Sequence, residues 1–167
     1  MSSAPFRIRV LDPDADRTAF NCGVEALNRY FQQQVTQDIR RRVAACFVAI
    51  TEDERIAGYY TLATASVLLA DLPKSIVKKL PRYPSVPTVR MGRLAIDLEF
   101  RGIGLGGALL ADALERTSRS EIAVYALMVD AKDDAAARFY QHHGFIPLPE
   151  AGQTLFLPLE TFNSAKK

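Results

Sequence analysis

Arg101-Gly102-Ile103-Gly104-Leu105-Gly106-Gly107 decides how this 167-residue chain reads. It follows the apolar, strand-like stretch Val89 to Ile96 and opens into a helical pattern from Ala108 to Leu114. Four glycines in six residues let a backbone come close to a ligand, and a helix starting there turns its first unpaired N–H groups and positive dipole end toward the same place. A phosphate or pyrophosphate suits that combination. A nucleoside triphosphatase loop needs Lys and then Ser or Thr after its last glycine. Here Ala108 and Leu109 follow Gly107, which excludes it. Gly102-x-Gly104-x-x-Gly107 matches a dinucleotide-binding turn, with Glu121 in range of the required acidic residue, yet it sits late in the chain instead of after the first strand. A tight strand-to-helix connection with no ligand also accounts for the glycines.

Working outward, Phe6 to Leu11 reads as a first strand. Val24, Leu27, Phe31, Val35 and Ile39 recur at helical spacing and predict an amphipathic helix that ends in Arg40-Arg41-Arg42. Ala45 to Thr51 and Ile56 to Val67 predict an antiparallel hairpin. Pro73 to Pro87 holds most of the prolines and predicts an irregular excursion with one short helix around Ser75 to Leu80. Val89 to Ile96 is the next strand, leading straight into the glycine run and its helix, where Leu105, Leu109, Leu110, Ala113 and Leu114 form one apolar face. Glu121 to Asp130 is continuous enough in apolarity for a buried central strand. Asp133 or Asp134 caps an Ala-rich helix stopping at Gly144, and Thr154 to Leu159 supplies a last strand. The order βαβββαβαβ predicts one α/β domain over residues 1–167, built on a mixed sheet flanked by helices.

Composition is that of an ordinary globular chain, 49% hydrophobic and 24% charged. No apolar run reaches membrane-spanning length, and the start Met1 to Pro5 lacks the basic and apolar regions of a signal peptide. A cytoplasmic protein with no membrane partner is expected. Cys22, Cys46, His142 and His143 give no zinc-site spacing, so no metal is expected, and the cysteines read as buried free thiols. The net charge of +2 by itself predicts no nucleic-acid partner. Its distribution is uneven. Between Asp71 and Asp97 stand Lys74, Lys78, Lys79, Arg82, Arg90 and Arg93 with no acidic residue, and Arg40 to Arg42 form a second block. Read alone, such runs are solvated faces.

A resemblance narrows these alternatives. Arg101-Gly102-Ile103-Gly104-Leu105-Gly106, read as Arg-x-x-Gly-x-Gly, resembles the acyl-CoA pyrophosphate loop of the GNAT superfamily of acetyltransferases. Gly92-Arg93-Leu94-Ala95-Ile96-Asp97 resembles that family's central splayed strand, and Ala135 to Phe145 its late helix ending in Tyr, Gly and Phe. Phe20-Asn21-Cys22-Gly23, Leu27 to Phe31, Ile56 to Leu62 and Pro81-Arg82-Tyr83-Pro84 look more narrowly like the GNAT-type toxins of bacterial toxin-antitoxin pairs. The resemblance implies the GNAT α/β (α+β) fold and acetyl-CoA as co-substrate. It implies that the main chain of Leu94, Ala95 and Ile96 receives the pantetheine arm. Arg101, Gly102, Ile103, Gly104, Leu105, Gly106 and Gly107 would hold the pyrophosphate, and Tyr140 would protonate the departing sulfur. Also implied are acetylation of aminoacyl-tRNA, a tRNA surface made by Arg40, Arg41, Lys78, Lys79, Arg82, Arg90 and Arg93, a ribbon-helix-helix antitoxin, and a homodimer.

No carboxylate presents itself as a general base; Asp97, at a strand end, reads as a turn residue. That bears on the substrate. A lysine amine with a pKa of about 10.4 is almost wholly charged at neutral pH, whereas an α-amine at about 7.7 to 8.0 is substantially neutral, a difference of roughly 3.5 kcal/mol. The aminoacyl end of tRNA carries an α-amine. Acetylation of a small amine or a protein N-terminus fits the missing base equally, and a non-catalytic acyl-CoA sensor is the reading from another class, against which Tyr140 and the intact loop argue.

Overall fold

The computed structural model describes residues 6–166, so the Met1 to Pro5 start lies outside the described residues. Seven strands form a mixed sheet in the order β1-β2-β3-β4-β5-β7-β6. They are β1 (Arg7–Val10), β2 (Ala45–Ile50), β3 (Ile56–Leu68), β4 (Ser85–Ile96), β5 (Ala126–Asp130), β6 (Ile146–Leu148) and β7 (Ala151–Pro158). The helices are α1 (Glu25–Arg29), α2 (Val35–Arg40), α3 (Lys74–Val77), α4 (Leu105–Ser118), α5 (Asp134–His142) and α6 (Leu159–Lys166). The chain divides into two compact units, residues 6–63 with 92–113 and residues 64–91 with 114–166.

In the first unit, β1, β2 and β3 pair antiparallel, from Arg7 opposite Ile50 and Ala45 opposite Leu62. The expected hairpin is present. The expected amphipathic helix is also present, with a difference: a π-helical turn, Tyr30–Gln34, joins α1 to α2. Apolar residues at 27, 31, 35 and 39 recur every fourth position, which on a 3.6-residue helix drifts by about 40° per step. The wider turn absorbs part of that drift and keeps Phe31 and Val35, both 0% exposed, on the core side. Phe31 stacks on Tyr59 with centroids 4.3 Å apart and planes 8° from parallel, and Phe20 meets both rings edge-on. Gly58 on β3 is required by closeness: a Cβ there would stand 3.0 Å from the Ala95 carbonyl oxygen and from side chains of Ile96 and Leu109.

In the second unit, β4 runs parallel to β5 over Thr88–Met91, and β7 lies antiparallel between β5 and β6. Val67, Leu72, Val86, Met128, Leu148 and Phe156 build its core. Four boundaries differ from expectation. β4 begins at Ser85 instead of Val89 and includes Pro87, which lacks an N–H but accepts from the Tyr125 N–H at 2.8 Å. β5 begins at Ala126, because the preceding stretch carries Ile122 into solvent at 80% exposure. The final strand starts earlier, at Ala151, and β6 and α6 were not foreseen. Among the described residues no helix is long and apolar enough to cross a membrane.

Candidate active site

The glycine run is reached through a brace. Asp97, 5% exposed, accepts the Glu99 N–H on Oδ1 and the Asn21 N–H on Oδ2, both at 3.0 Å, while its own N–H donates to the Ala57 carbonyl at 2.8 Å. Both carboxylate oxygens are thus engaged in holding the chain, as a turn residue's should be. They also cap a short 3₁₀ turn, Leu98–Phe100, so the strand does not pass straight into the glycines as its sequence suggested.

Gly102 and Gly104 have φ of +78° and +85°, a region that side-chain-bearing residues avoid. No atom lies within 4 Å of where a Cβ would project from either, so the backbone shape demands glycine and the space outside the turn is open. The first intrahelical bond of α4 runs from the Ala108 N–H to the Gly104 carbonyl at 3.1 Å. The N–H groups of Leu105, Gly106 and Gly107 precede it, and Gly104 brings no side-chain oxygen to cap them. That arrangement suits an anionic pyrophosphate. Ile103 is 60% exposed at the tip of the turn. Arg101 folds back, its Nη2 donating to the Cys22 carbonyl at 2.6 Å. Behind the turn the apolar face of α4 is buried as expected: Leu105, Leu109, Leu110, Ala113 and Leu114. Ala95 is buried and Leu94 and Ile96 half-buried; all three lie on β4 beyond the Thr88–Met91 ladder with β5.

Tyr140 stands in the last turn of α5, whose start is capped by Asp133 Oδ1 accepting the Ala136 N–H at 2.8 Å. Its carbonyl accepts from the N–H groups of His143 and Phe145, which ties the helix end to the chain beyond Gly144. The ring is 7% exposed and packs near Phe139 and Phe145. Phe139 itself is half-buried against Tyr140 and His143, short of the core position its sequence suggested, because α5 turns that side partly outward. Burial, and then the charge of Asp130, push the Tyr140 phenol up to about 12. Among the described residues no hydrogen bond engages its hydroxyl. It is a neutral phenol with its proton available.

The basic residues fall into two groups. Arg40 and Arg41 at the end of α2, and Lys78, Lys79 and Arg82 after α3, are exposed. Arg90 instead pairs with Asp130, and the Arg93 guanidinium lies 3.5 Å above the Tyr30 ring. Tyr30 donates to Asp38 at 2.8 Å, and together with Arg93, Gln33 and Gln34 they line a surface cavity of about 470 Å³. Burial and the Asp38 bond raise the Tyr30 pKa. Sequence reasoning missed this cluster, since Tyr30 and Asp38 meet only through the π-helical turn. Cys22 and Cys46 are buried free thiols, as expected. Among the described residues no group of three or more His, Cys, Asp or Glu could hold a metal ion.

Comparison with known proteins connects these parts. The Acetyltransferase (GNAT) domain family matches residues 14–154. A tRNA-acetylating toxin of Mycobacterium tuberculosis is 36% identical, over 86% of this chain and 84% of its own length. The structure of AtaT complexed with acetyl-methionyl-tRNAfMet superposes with a TM-score of 0.89 at 34% identity, over 97% of this chain and 99% of that one. A Tyr-to-Phe mutant of the AtaT toxin, bound to acetyl-CoA and the C-terminus of the antitoxin AtaR, superposes with a TM-score of 0.82 at 27% identity, over 98% and 99% of the two chains. With one acetyltransferase family spanning residues 14–154 and such relatives alike over most of their length, this chain belongs to the GNAT family of acetyltransferases.

Proposed function

We propose that this chain is a toxin that transfers the acetyl group of acetyl-CoA to the α-amine of the amino acid on a charged tRNA and so blocks translation. The observation that carries this reading is the likeness, across nearly the whole chain, to a tRNA-acetylating toxin and to a toxin captured with acetyl-methionyl-tRNA. Acetyl-CoA, when bound, supplies an activated thioester. The N–H groups at the head of α4 and the Gly102 to Gly107 turn, with the charge of Arg101, hold its pyrophosphate. Main-chain groups of Leu94, Ala95 and Ile96 orient the pantetheine arm and polarise the acyl carbonyl. Tyr140 gives its proton to the departing sulfur and recovers one from solvent, while the amine sheds one as the amide forms. An α-amine reaches its neutral form without a dedicated base, which agrees with the engagement of both Asp97 oxygens.

Arg40, Arg41, Lys78, Lys79, Arg82, Arg90 and Arg93 form the tRNA surface on this reading, the last two sharing their guanidinium groups with Asp130 and Tyr30. A ribbon-helix-helix antitoxin neutralises the enzyme, which works as a cytoplasmic homodimer of single-domain subunits. Radiolabelled acetyl-CoA incubated with charged and uncharged tRNA tests the core of the proposal. Label is expected on charged tRNA alone; transfer to small amines or peptide N-termini, with none to charged tRNA, would sink it. Light scattering tests the dimer.

A further inference from the structure

Tyr83 is 64% exposed, an unusual position for a large ring in a chain that buries most of its aromatics. Its backbone is held on both sides. Pro81 accepts the Tyr83 N–H at 2.9 Å in a tight turn, Pro84 follows directly and accepts the Leu69 N–H at 3.0 Å, and a residue before proline is restricted to extended conformations. The ring is therefore presented on a stiff support. Beside it, Leu69, Val77, Leu80, Lys78 and Arg82 complete a surface cavity of about 560 Å³. Lys78 and Arg82 are exposed, and among the described residues neither has a carboxylate partner. No acidic residue occurs between Asp71 and Asp97.

An exposed, immobilised aromatic face flanked by two unpaired cations matches the chemistry of an unpaired nucleotide, whose base stacks while its flanking phosphates meet the cations. Duplex RNA has its bases stacked away and would use the cations alone. We infer that Tyr83 is a stacking platform for an unpaired base of the RNA acceptor strand, with Lys78 and Arg82 on the adjoining phosphates. This rests on the tRNA-acetylating reading and adds a residue that recognises the single-stranded end instead of the helical stem.

The test uses an RNA hairpin with a single-stranded 3′ end and the same hairpin made blunt, titrated against the full-length protein, with acetyl transfer to charged tRNA by the unaltered protein run in parallel. Tyr83→Ala is expected to weaken the single-stranded-end hairpin by about tenfold or more and to leave the blunt hairpin unchanged. Tyr83→Phe keeps the ring face and should keep the affinity. K78Q and R82Q should weaken both hairpins and flatten the salt dependence. Equal affinity of Tyr83→Ala and parent for the single-stranded end would overturn the inference, as would equal loss on both hairpins. A Tyr83→Ala protein that keeps RNA but loses an acidic Glu-Leu peptide would also overturn it, marking a protein-docking site. Absence of acetyl transfer by the unaltered protein would instead bring down the functional reading itself.

Discussion

The aromatic core under α1 and α2 and the two stretches assigned to chemistry treat their polar atoms in opposite ways. In the core, Tyr59 is 0% exposed, stacks on Phe31 and donates to the Leu27 carbonyl at 2.8 Å. Tyr30 donates to Asp38, and Tyr60 to Asp112. In the glycine turn, three N–H groups precede the first helical bond without a capping side chain, and on α5 the Tyr140 hydroxyl has no partner among the described residues. A buried phenol spends its hydroxyl on stability wherever a partner is in reach. Groups left over next to open space are the ones available to a ligand.

Exchanging hydroxyl for hydrogen on each side of this contrast tests it most sharply. Tyr140→Phe should lower turnover on charged tRNA by about 10²- to 10⁴-fold, the usual worth of a positioned acid, with little change in stability or acetyl-CoA affinity. Steady-state kinetics and calorimetry check both halves. Near-parental turnover would make Tyr140 one more packing residue and erase the distinction.

Gly104→Val forces a branched side chain into a left-handed conformation at a strain of about 1–3 kcal/mol. If the turn relaxes in the free protein and must be reformed on binding, acetyl-CoA should bind about 5- to 150-fold more weakly. Unchanged affinity by calorimetry would remove the turn from the cofactor site.

Tyr59→Phe should show the converse pattern to Tyr140→Phe. Removing the hydroxyl strands the Leu27 carbonyl and should cost about 1–3 kcal/mol in urea unfolding, with kcat on charged tRNA unaltered. A kcat loss larger than the stability loss explains would move Tyr59 across the divide.

The pH profile carries a smaller signal. Activity should rise as the substrate amine loses its proton at about 7.7 to 8.0 and then stay level, because the Tyr140 phenol, pushed up to about 12, keeps its proton well beyond the range of an ordinary tyrosine. A decline centred near pH 10 would mean the acid is an unperturbed group. Stability should respond at higher pH still. Burial raises Cys46 to about 12 and lifts the phenols of Tyr30 and Tyr59. Folded values above unfolded ones mean stability that is complete below about pH 9 and drains away as pH climbs. Circular dichroism against pH reads this out.

Legibility in the sequence followed the range of the forces involved. The glycine turn, the buried face of α4, the hairpin and the Asp133 cap are set by neighbours a few positions away, and their residues declared them. Tyr140 was named through its place in a family-like helix; that its hydroxyl stands unengaged depends on what the folded surroundings fail to offer. Arg90 and Arg93 looked like free cations because their partners, Asp130 and Tyr30, are distant in sequence. The apolar run before Ala126 suggested strand throughout, yet pairing with Pro158 starts only at Ala126. The π-helical turn left a trace in the fourfold spacing of its apolar residues, one that a standard helical period absorbs unnoticed.

That turn also fixes a phase. Between α1 and α2 it acts as a one-residue spacer, so deleting a single glutamine from Gln32 to Gln34 would let an ordinary α-helix run through and rotate everything after it by about 100°. Val35 would leave the core, and Arg40 and Arg41 would swing a quarter turn around the axis. The aim of the arginine block is thus indexed by chain length in this segment, and a frame-preserving deletion there would redirect a charged surface without altering any charge.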